Sequence, residues 1–501
     1  MLLEAPTNRV TEENLIDSVR ATYATLVMLE RQCIDTDKIM SEGTQKITSE
    51  EWECALNMHQ SLLAEFHDFF IVTQHECASK VVRCLPNTYA MPARLWRYSI
   101  HTFLELLRQN LPGSFDFMLE FVYIAYRGIA LLLDQLSAFK EVWIECLGDL
   151  ARYRMAIEDQ DMGDRKVWAQ VSRRWYNEDA NLRPGVGRIQ HHLAVLSRPD
   201  YLQQLFYYTK ALVSPQRFDN AQEGVNIVFS LHEKYSFNQH TLVTAFITTH
   251  RILFKEDLNE KGHMEHFIAM ANHFLSLLRD GFCQLEQRRQ YGVYIMSSNF
   301  ASMLEYGKPE SIIASKIAEI THASTDEAYT HALTCSYNDP VQIPPVPTAF
   351  HGSCLSFHTL SVLLDRPGDP DIYPGFHTSL AMIWCLSLQP PLMQHLQHMI
   401  PWLAIVRCLN TIFSNCSDTL PPIIEDRAFP TFSYGTLRED FLIRAQTWSR
   451  LYYPKKFFEN AISEDDRPFT EEAEATDVRQ YRCLWLGIRI ASALDAHSGL
   501  L

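Results

Sequence analysis

Arg152 and Tyr153 stand side by side in a stretch, Cys146-Leu-Gly-Asp-Leu-Ala-Arg-Tyr-Arg154, that continues an apolar helix starting near Phe139. A guanidinium is costly to bury without a partner. Two chemistries suit it. It forms an ion pair with a carboxylate of its own fold, Asp149 one turn earlier being the nearest, or it captures an anion from outside. The sequence leaves both open. Arg154 reads as a surface residue. Arg173-Arg174 beside Trp175 is a basic–aromatic adjacency of the kind that stacks on nucleic-acid bases, although Trp175 also suits a core position. His263-x-x-His266 and His395-x-x-His398 each offer two ligands, one short of a catalytic zinc set, so no metal is expected. The chain has no Gly-rich phosphate loop, G-x-S-x-G or H-E-x-x-H. No catalytic set, cofactor or small-molecule substrate is expected.

Composition sets the elements that must position these residues. The chain has 501 residues, 47 % hydrophobic and 21 % charged, with only 18 glycines, which favours helices over turn-rich β architecture. A net charge of −16 argues against a broad nucleic-acid surface, without excluding a local basic patch. The 12 cysteines are scattered singly and read as small buried hydrophobes in a reducing compartment. The start, Met-Leu-Leu-Glu-Ala-Pro, has no basic segment before an apolar one, and the most apolar stretch, 117–133, carries Glu120 and Arg127. Neither a signal peptide nor a membrane span is expected, and the reading is cytoplasmic or nuclear.

Helical spacing runs through Leu15, Val19, Tyr23, Leu26 and Leu29, and through Trp52, Leu56, Leu63, Phe66 and Phe70. It predicts helices over 92–110, 115–137, 139–157, 166–182, 189–196, 199–213, 218–233, 238–255 and 264–289. Proline-rich breaks come next, at 335–350, 366–374 and 420–430, with helices at 377–388, 392–414, 436–451 and 477–494. Pro344-x-x-Pro347 reads as a plain linker before a polyproline ligand, and the acidic run from Glu464 to Glu474 as a solvated loop. The expectation is an all-α protein in three parts. Residues 1–48 form an N-terminal helix and polar linker, 49–235 a first helical domain, and 236–495 a helical-hairpin domain carrying the proline-rich loops.

Leu147-Gly148, then Tyr176 and Ala180, then Pro184 follow the tetratricopeptide order of Leu-Gly, aromatic, Ala, Pro. Gly148 lets the paired helix approach, and Tyr176 fills the groove. The spacing is longer than the usual repeat, which predicts a lengthened loop over Glu158–Lys166. Leu193-Ala194, Phe206-Tyr207-Tyr208 and Ala211 make a second such unit.

At these residues the sequence resembles the Est-one/SMG family, which comprises the telomerase subunit "ever shorter telomeres one" and the SMG adaptors of nonsense-mediated mRNA decay. The resemblance rests on Leu147–Arg154, Trp175-Tyr176, Pro184-x-x-Gly187, His192–Leu196 and Phe206–Tyr208. It continues in Leu437–Arg444, Trp448, Tyr453-Pro454 and Leu484–Ala491, which resemble filamentous-fungal members, and it spans roughly 50–495. It implies a 14-3-3-like and tetratricopeptide-like bundle followed by stacked α-hairpins.

The resemblance further implies an adaptor that binds a phosphorylated protein or peptide. Members that cut RNA carry an additional PIN nuclease domain; the helical part here runs to the end of the sequence, so no nuclease is expected. In a 14-3-3-like pocket, Arg152 and Tyr153 match the arginine–tyrosine pair that holds phosphate. The family's pocket lysine falls on His101, a weaker and pH-dependent ligand. Arg97 and Arg108 lie on the same face and are the candidates to restore the charge. His191-His192, at a helix start, reads as capping. The alternative is a telomerase-associated accessory protein that binds RNA or single-stranded DNA, with Arg173 and Arg174 as its candidates. A further alternative is a diverged scaffold that keeps the fold and has lost the phosphate pocket, as His101 and the long loop suggest.

Overall fold

A computed structural model of the chain describes residues 11–43, 46–235, 241–282, 285, 287–320, 327–328, 346–415, 429–430, 435–459 and 473–498. Among these residues every regular element is helical, apart from one isolated parallel bridge between Val186 and Gln216. The protein is all-α. No helix of the described residues is long and apolar enough to cross a membrane. The chain divides into two compact units, Met1–Leu182 and Arg183–Leu501, a division that differs from the expected boundary near 235.

The first unit begins with α1 (Glu12–Glu42) and α2 (Ser49–Thr73). Thr11 caps α1 by accepting from the Asn14 N–H, and Thr48 and Glu51 close a reciprocal capping box on α2. Next come α3 (Lys80–Thr88), α4 (Met91–Arg94), a π-helical segment (Leu95–His101) and α5 (Thr102–Gln109). The helix expected over 92–110 is therefore present, but its middle is widened by a π turn. Two carbonyls of that turn find side-chain partners: Thr102 Oγ1 donates to the Arg97 carbonyl, and His59 Nδ1 lies 3.1 Å from the Ser99 carbonyl. The His59 ring is buried, stacks on Phe103 and meets Asp37 of α1 at 3.0 Å. It ties α1, α2 and the π turn together.

The unit closes with α6 (Phe115–Gln135), α7 (Lys140–Ile157) and α8 (Met162–Leu182). The helical spacing read from sequence buries Trp52, Phe66, Phe70, Phe103, Phe121 and Trp143 in one core. The predicted long loop at Glu158–Lys166 is shorter than expected. Only 158–161 separate the helices, because Asp161 Oδ1 accepts from the Gly163 and Asp164 N–H groups and starts α8 early. Arg154 corrects a second expectation. It is buried, donates to Glu158 and Asp164, and lies over the Trp168 ring. The residues that read as a polar loop are its partners.

The second unit opens with α9 (Gly187–Leu196), α10 (Tyr201–Leu212), α11 (Ala221–Tyr235) and α12 (Leu242–Lys255). It continues with α13 (Lys261–Gly281), α14 (Arg288–Met303), α15 (Ile312–Ile320) and α16 (Pro347–Leu363). The last elements are α17 (Tyr373–Ser387), α18 (Pro390–Leu396), α19 (Trp402–Asn415), α20 (Arg438–Ile443) and α21 (Ala473–Ser498).

Three expected helices in this unit are broken. The stretch 264–289 ends at Gly281, and a new helix starts at Arg288. The stretch 392–414 divides: α18 ends at Leu396, and α19 starts at Trp402, directly after Pro401. The stretch 436–451 reduces to the short α20 followed by turns. Pro347 opens α16 at its first turn, where the missing N–H costs nothing, so the 335–350 break ends earlier than expected. Residues 335–345, including Pro344, lie outside the described residues, as do 420–428 and most of the acidic run before Glu474.

Candidate functional site

The site is built on the crossing of α7 and α8. A Cβ on Gly148 would lie 2.6 Å from the Tyr176 ring, so the glycine is what lets the tyrosine seat against α7. Ser172 Oγ donates to the Gly148 carbonyl at 2.8 Å in the same crossing. Seated there, the Tyr176 hydroxyl donates to Asp149 Oδ1 at 2.6 Å and accepts from Arg152 Nε at 3.2 Å. Arg152 Nη2 completes the triangle by donating to the same Asp149 oxygen at 2.9 Å. The carboxylate one turn before Arg152 is thus its partner.

Tyr153 turns the other way. It is buried, and its hydroxyl donates to Glu105 Oε1 of α5 at 2.7 Å. Burial, and then this hydrogen bond, push the phenol above its ordinary pKa and keep it a donor. Glu105 also accepts from Arg108, whose Nε lies 3.0 Å from Oε2. Burial alone would raise the Glu105 carboxyl. The hydrogen bonds from Arg108 and Tyr153 outweigh it and hold the group below the usual carboxylate range.

The structure therefore brings Arg152, Tyr153, Arg108 and His101 into one neighbourhood, with the His101 ring 6.5 Å from that of Tyr153. It also brings in Glu105 and Asp149, so two guanidiniums meet two carboxylates. Arg97 lines a cleft of about 540 Å³ against α1, which His101 and Glu105 of this cluster line as well. Lys38, Arg97, Tyr98, His101, Glu105 and Leu106 line that cleft. The π turn sets their directions, since widening the helix between Leu95 and His101 rotates the side chains of α5 relative to those of α4.

The chain matches no known family model and no curated protein. The Est-one/SMG resemblance accordingly rests on the residues quoted for it.

The remaining candidates have structural surroundings. Arg174 is exposed and Arg173 half-buried, while the Trp175 ring packs against the first unit's core and its Nε1 donates to the Tyr126 hydroxyl at 2.8 Å. His191 and His192 lie inside α9 rather than at its start, and His191 stands among Tyr208 and Phe218, so neither is a cap. His263 Nδ1 meets the Asp257 carbonyl and lies 3.5 Å from Glu260, while His266 lies 3.9 Å from Glu256. Among the described residues no group of three or more His, Cys, Asp or Glu could hold a metal. Cys33, Cys146, Cys385, Cys408 and Cys483 are buried as expected, whereas Cys54, Cys77 and Cys84 lie on the surface.

Sequence reasoning missed a second buried network, in the second unit. Arg479 grips Glu439 through Nε and Nη2, and Arg482 Nη1 donates to Asp440 at 2.6 Å. His377 Nδ1 meets Glu439 at 3.0 Å and its Nε2 faces the Tyr452 hydroxyl, while the Tyr453 hydroxyl donates to Asp440. The signal was present as Glu439-Asp440 and as Arg479 and Arg482, three residues apart on one helix face.

Proposed function

We propose that the protein is a non-enzymatic helical scaffold that holds a polypeptide partner, an adaptor of the kind the Est-one/SMG resemblance implies. In this reading the Arg152–Tyr153 pair serves the fold rather than a phosphate. The observation that carries it is Glu105, which lies between Tyr153 and Arg108 where the resemblance implies a phosphate oxygen. A dianion approaching Arg152 meets Asp149 and Glu105 as well, and like charges at that range repel.

Partner binding then belongs to the neighbouring cleft against α1. Lys38 and Arg97 line it with the carboxylates Asp37 and Glu105, and Ile34 and Leu106 provide apolar contact. Met28 and Ile39 of α1 are exposed, 53 % and 72 % respectively. The complement is a segment with an apolar face and an edge that carries charges of both signs. The test compares the interaction partners of the full chain with those of Lys38→Glu/Arg97→Glu and of Arg152→Lys. Loss of the principal partner in the first variant and its retention in the second supports the reading. Retention in the cleft variant, or loss in Arg152→Lys with an unchanged melting temperature, overturns it.

A further inference from the structure

α19 is anchored in the second unit through Ile405, Cys408 and Ile412, which are buried. Cys408 Sγ lies 3.8 Å from the Pro367 carbonyl oxygen. Leu409 sits so close over Gly487 of α21 that a Cβ on the glycine would lie 2.6 Å from its Cδ1. Trp402 Nε1 donates to the Gln397 carbonyl at 3.0 Å and ties down the first turn. Leu403, Val406, Asn410 and Phe413 follow one another at intervals of three and four residues, so they share a different face of the same helix. Leu403, Val406 and Phe413 are 66 %, 50 % and 61 % exposed. A single exposed apolar side chain is ordinary, but three along one stripe of one short helix make a contact surface.

Charge decides what covers it. Arg407 stands one turn from Leu403 and one turn from Asn410, exposed and without an ion pair among the described residues. Between Asp371 and Asp418 the sequence has no Asp or Glu, although the whole chain has 60. Neither α18 nor α19 therefore offers Arg407 a carboxylate. A second copy of the chain fits this face poorly. Two α19 stripes crossing on a two-fold axis, with Leu403 of each against Phe413 of the other, would centre on Cys408 and bring the two Arg407 side chains together beside that axis, like charge to like. A helix with its own apolar stripe and a carboxylate on its flank meets both needs. It buries the three apolar side chains and pairs the guanidinium.

We propose that the outer face of α19 docks an amphipathic helix with acidic flanks, supplied by a protein partner. The surface belongs to the second unit. It goes beyond the scaffold reading above and does not rest on the cleft against α1.

The test uses the full chain and a display library of helices with a fixed leucine stripe and flanks randomised over Glu, Lys, Gln and Ser. Clones are selected on the parent and counter-selected on Leu403→Ser/Phe413→Ser, two exposed positions whose change leaves the buried face of α19 intact. Clones that depend on the stripe and are enriched in Glu at their flanks are expected. As a labelled peptide in fluorescence anisotropy, the tightest of them should lose at least about tenfold in affinity for the double variant. Phe413→Ser alone gives the same direction should the double variant fail to fold. Arg407→Glu should weaken the acidic peptide about threefold or more. The same substitution should strengthen a Lys-flanked version of that peptide, a reversal that damage to the fold does not produce. Met28→Ser/Ile39→Ser on α1 should leave the affinity unchanged. Failure to recover any stripe-dependent clone overturns the proposal, as does selection without enrichment of Glu. So does equal affinity of the acidic peptide for the parent and Arg407→Glu. A parent that sediments as a dimer while Leu403→Ser/Phe413→Ser is monomeric gives the face to a second copy and overturns the proposal as well.

Discussion

The Tyr153 hydroxyl donates to Glu105 Oε1 at 2.7 Å, so a carboxylate of the protein fills the place between Tyr153 and Arg108. This makes Glu105 an internal counter-ion. It shares that work with Asp149, which answers Arg152 from one turn away.

Glu105→Gln should leave a hydrogen-bond acceptor for Tyr153 while removing one negative charge. Because Arg108 is half-exposed, its ion pair contributes at most about 1 kcal/mol, and stability should change little. Anion affinity should change more. Glu105→Gln should acquire measurable affinity for O-phosphoserine, above that of the parent, by titration calorimetry. A titration that still shows no binding would mean that Glu105 is not what keeps anions out. Tyr153→Phe is the complementary variant. It leaves Glu105 with Arg108 alone and should lower unfolding free energy by about 1 kcal/mol.

Gly148→Ala sets helix propensity against packing. Alanine is favoured over glycine in a helix interior by about 1 kcal/mol. The new Cβ, however, meets the Tyr176 ring at 2.6 Å, and that ring is fixed by its bonds to Asp149 and Arg152. The clash should prevail, giving a net loss of about 1–3 kcal/mol. Chemical denaturation should show a lower midpoint with an unchanged slope. A variant as stable as the parent would mean the α7–α8 crossing yields more easily than the seated tyrosine suggests.

These two sites differ in how far the sequence disclosed them. Gly148, Asp149 and Arg152 fall within five residues, so helical geometry alone places the carboxylate beneath the guanidinium and the gap opposite Tyr176. Glu105 was not legible in the same way. Its approach to Tyr153 depends on the π turn at Leu95–His101, and that turn is held by His59 and Thr102 rather than by any local propensity. The start of α14 was hidden for another reason. Apolar spacing runs on from 264 to 289, so Arg288-Arg289 read as the end of one helix, whereas the structure makes the pair the start of the next. Arg154 shows the converse error: a polar flank suggested surface, yet Glu158 and Asp164 are there to partner it in the interior.

Glu439 is the most exacting of the buried charges. Burial would raise its pKa, but the Arg479 guanidinium and the His377 hydrogen bond drive it well below the usual carboxylate range. A folded pKa depressed in this way contributes stability that is fully present above the unfolded value, near 4.3. That stability is lost as pH falls through the folded value. Glu439→Gln removes this dependence and takes away the buried charge that Arg479 grips through Nε and Nη2. It should cost about 3–5 kcal/mol at neutral pH and flatten the acid limb of a denaturation midpoint plotted against pH. A variant that keeps the parent's acid slope would assign that slope to other carboxylates.

His250 acts in a higher pH window and by the opposite chemistry, since here the neutral form is the stabilised one. The ring is fully buried. Its Nδ1 meets the Tyr306 hydroxyl at 2.8 Å, and its Nε2 meets the Asn299 carbonyl oxygen at 3.0 Å. An oxygen acceptor at Nε2 and a hydroxyl able to donate at Nδ1 define a neutral ring protonated on Nε2. Burial lowers the His250 pKa to about 4, against the opposing pull of the Asn299 hydrogen bond. The unfolded chain, with an ordinary value near 6.5, therefore binds the proton first. Stability from this group is complete above about pH 6.5 and is lost progressively as pH falls toward 4. The total amounts to about 3 kcal/mol. Carboxylates dominate the lower part of that window, so the informative range is its upper half. There the parent should lose stability with falling pH, and His250→Gln, less stable at neutral pH, should lose less. Parallel slopes for the two proteins between about pH 6.5 and 5 would remove His250 as the cause.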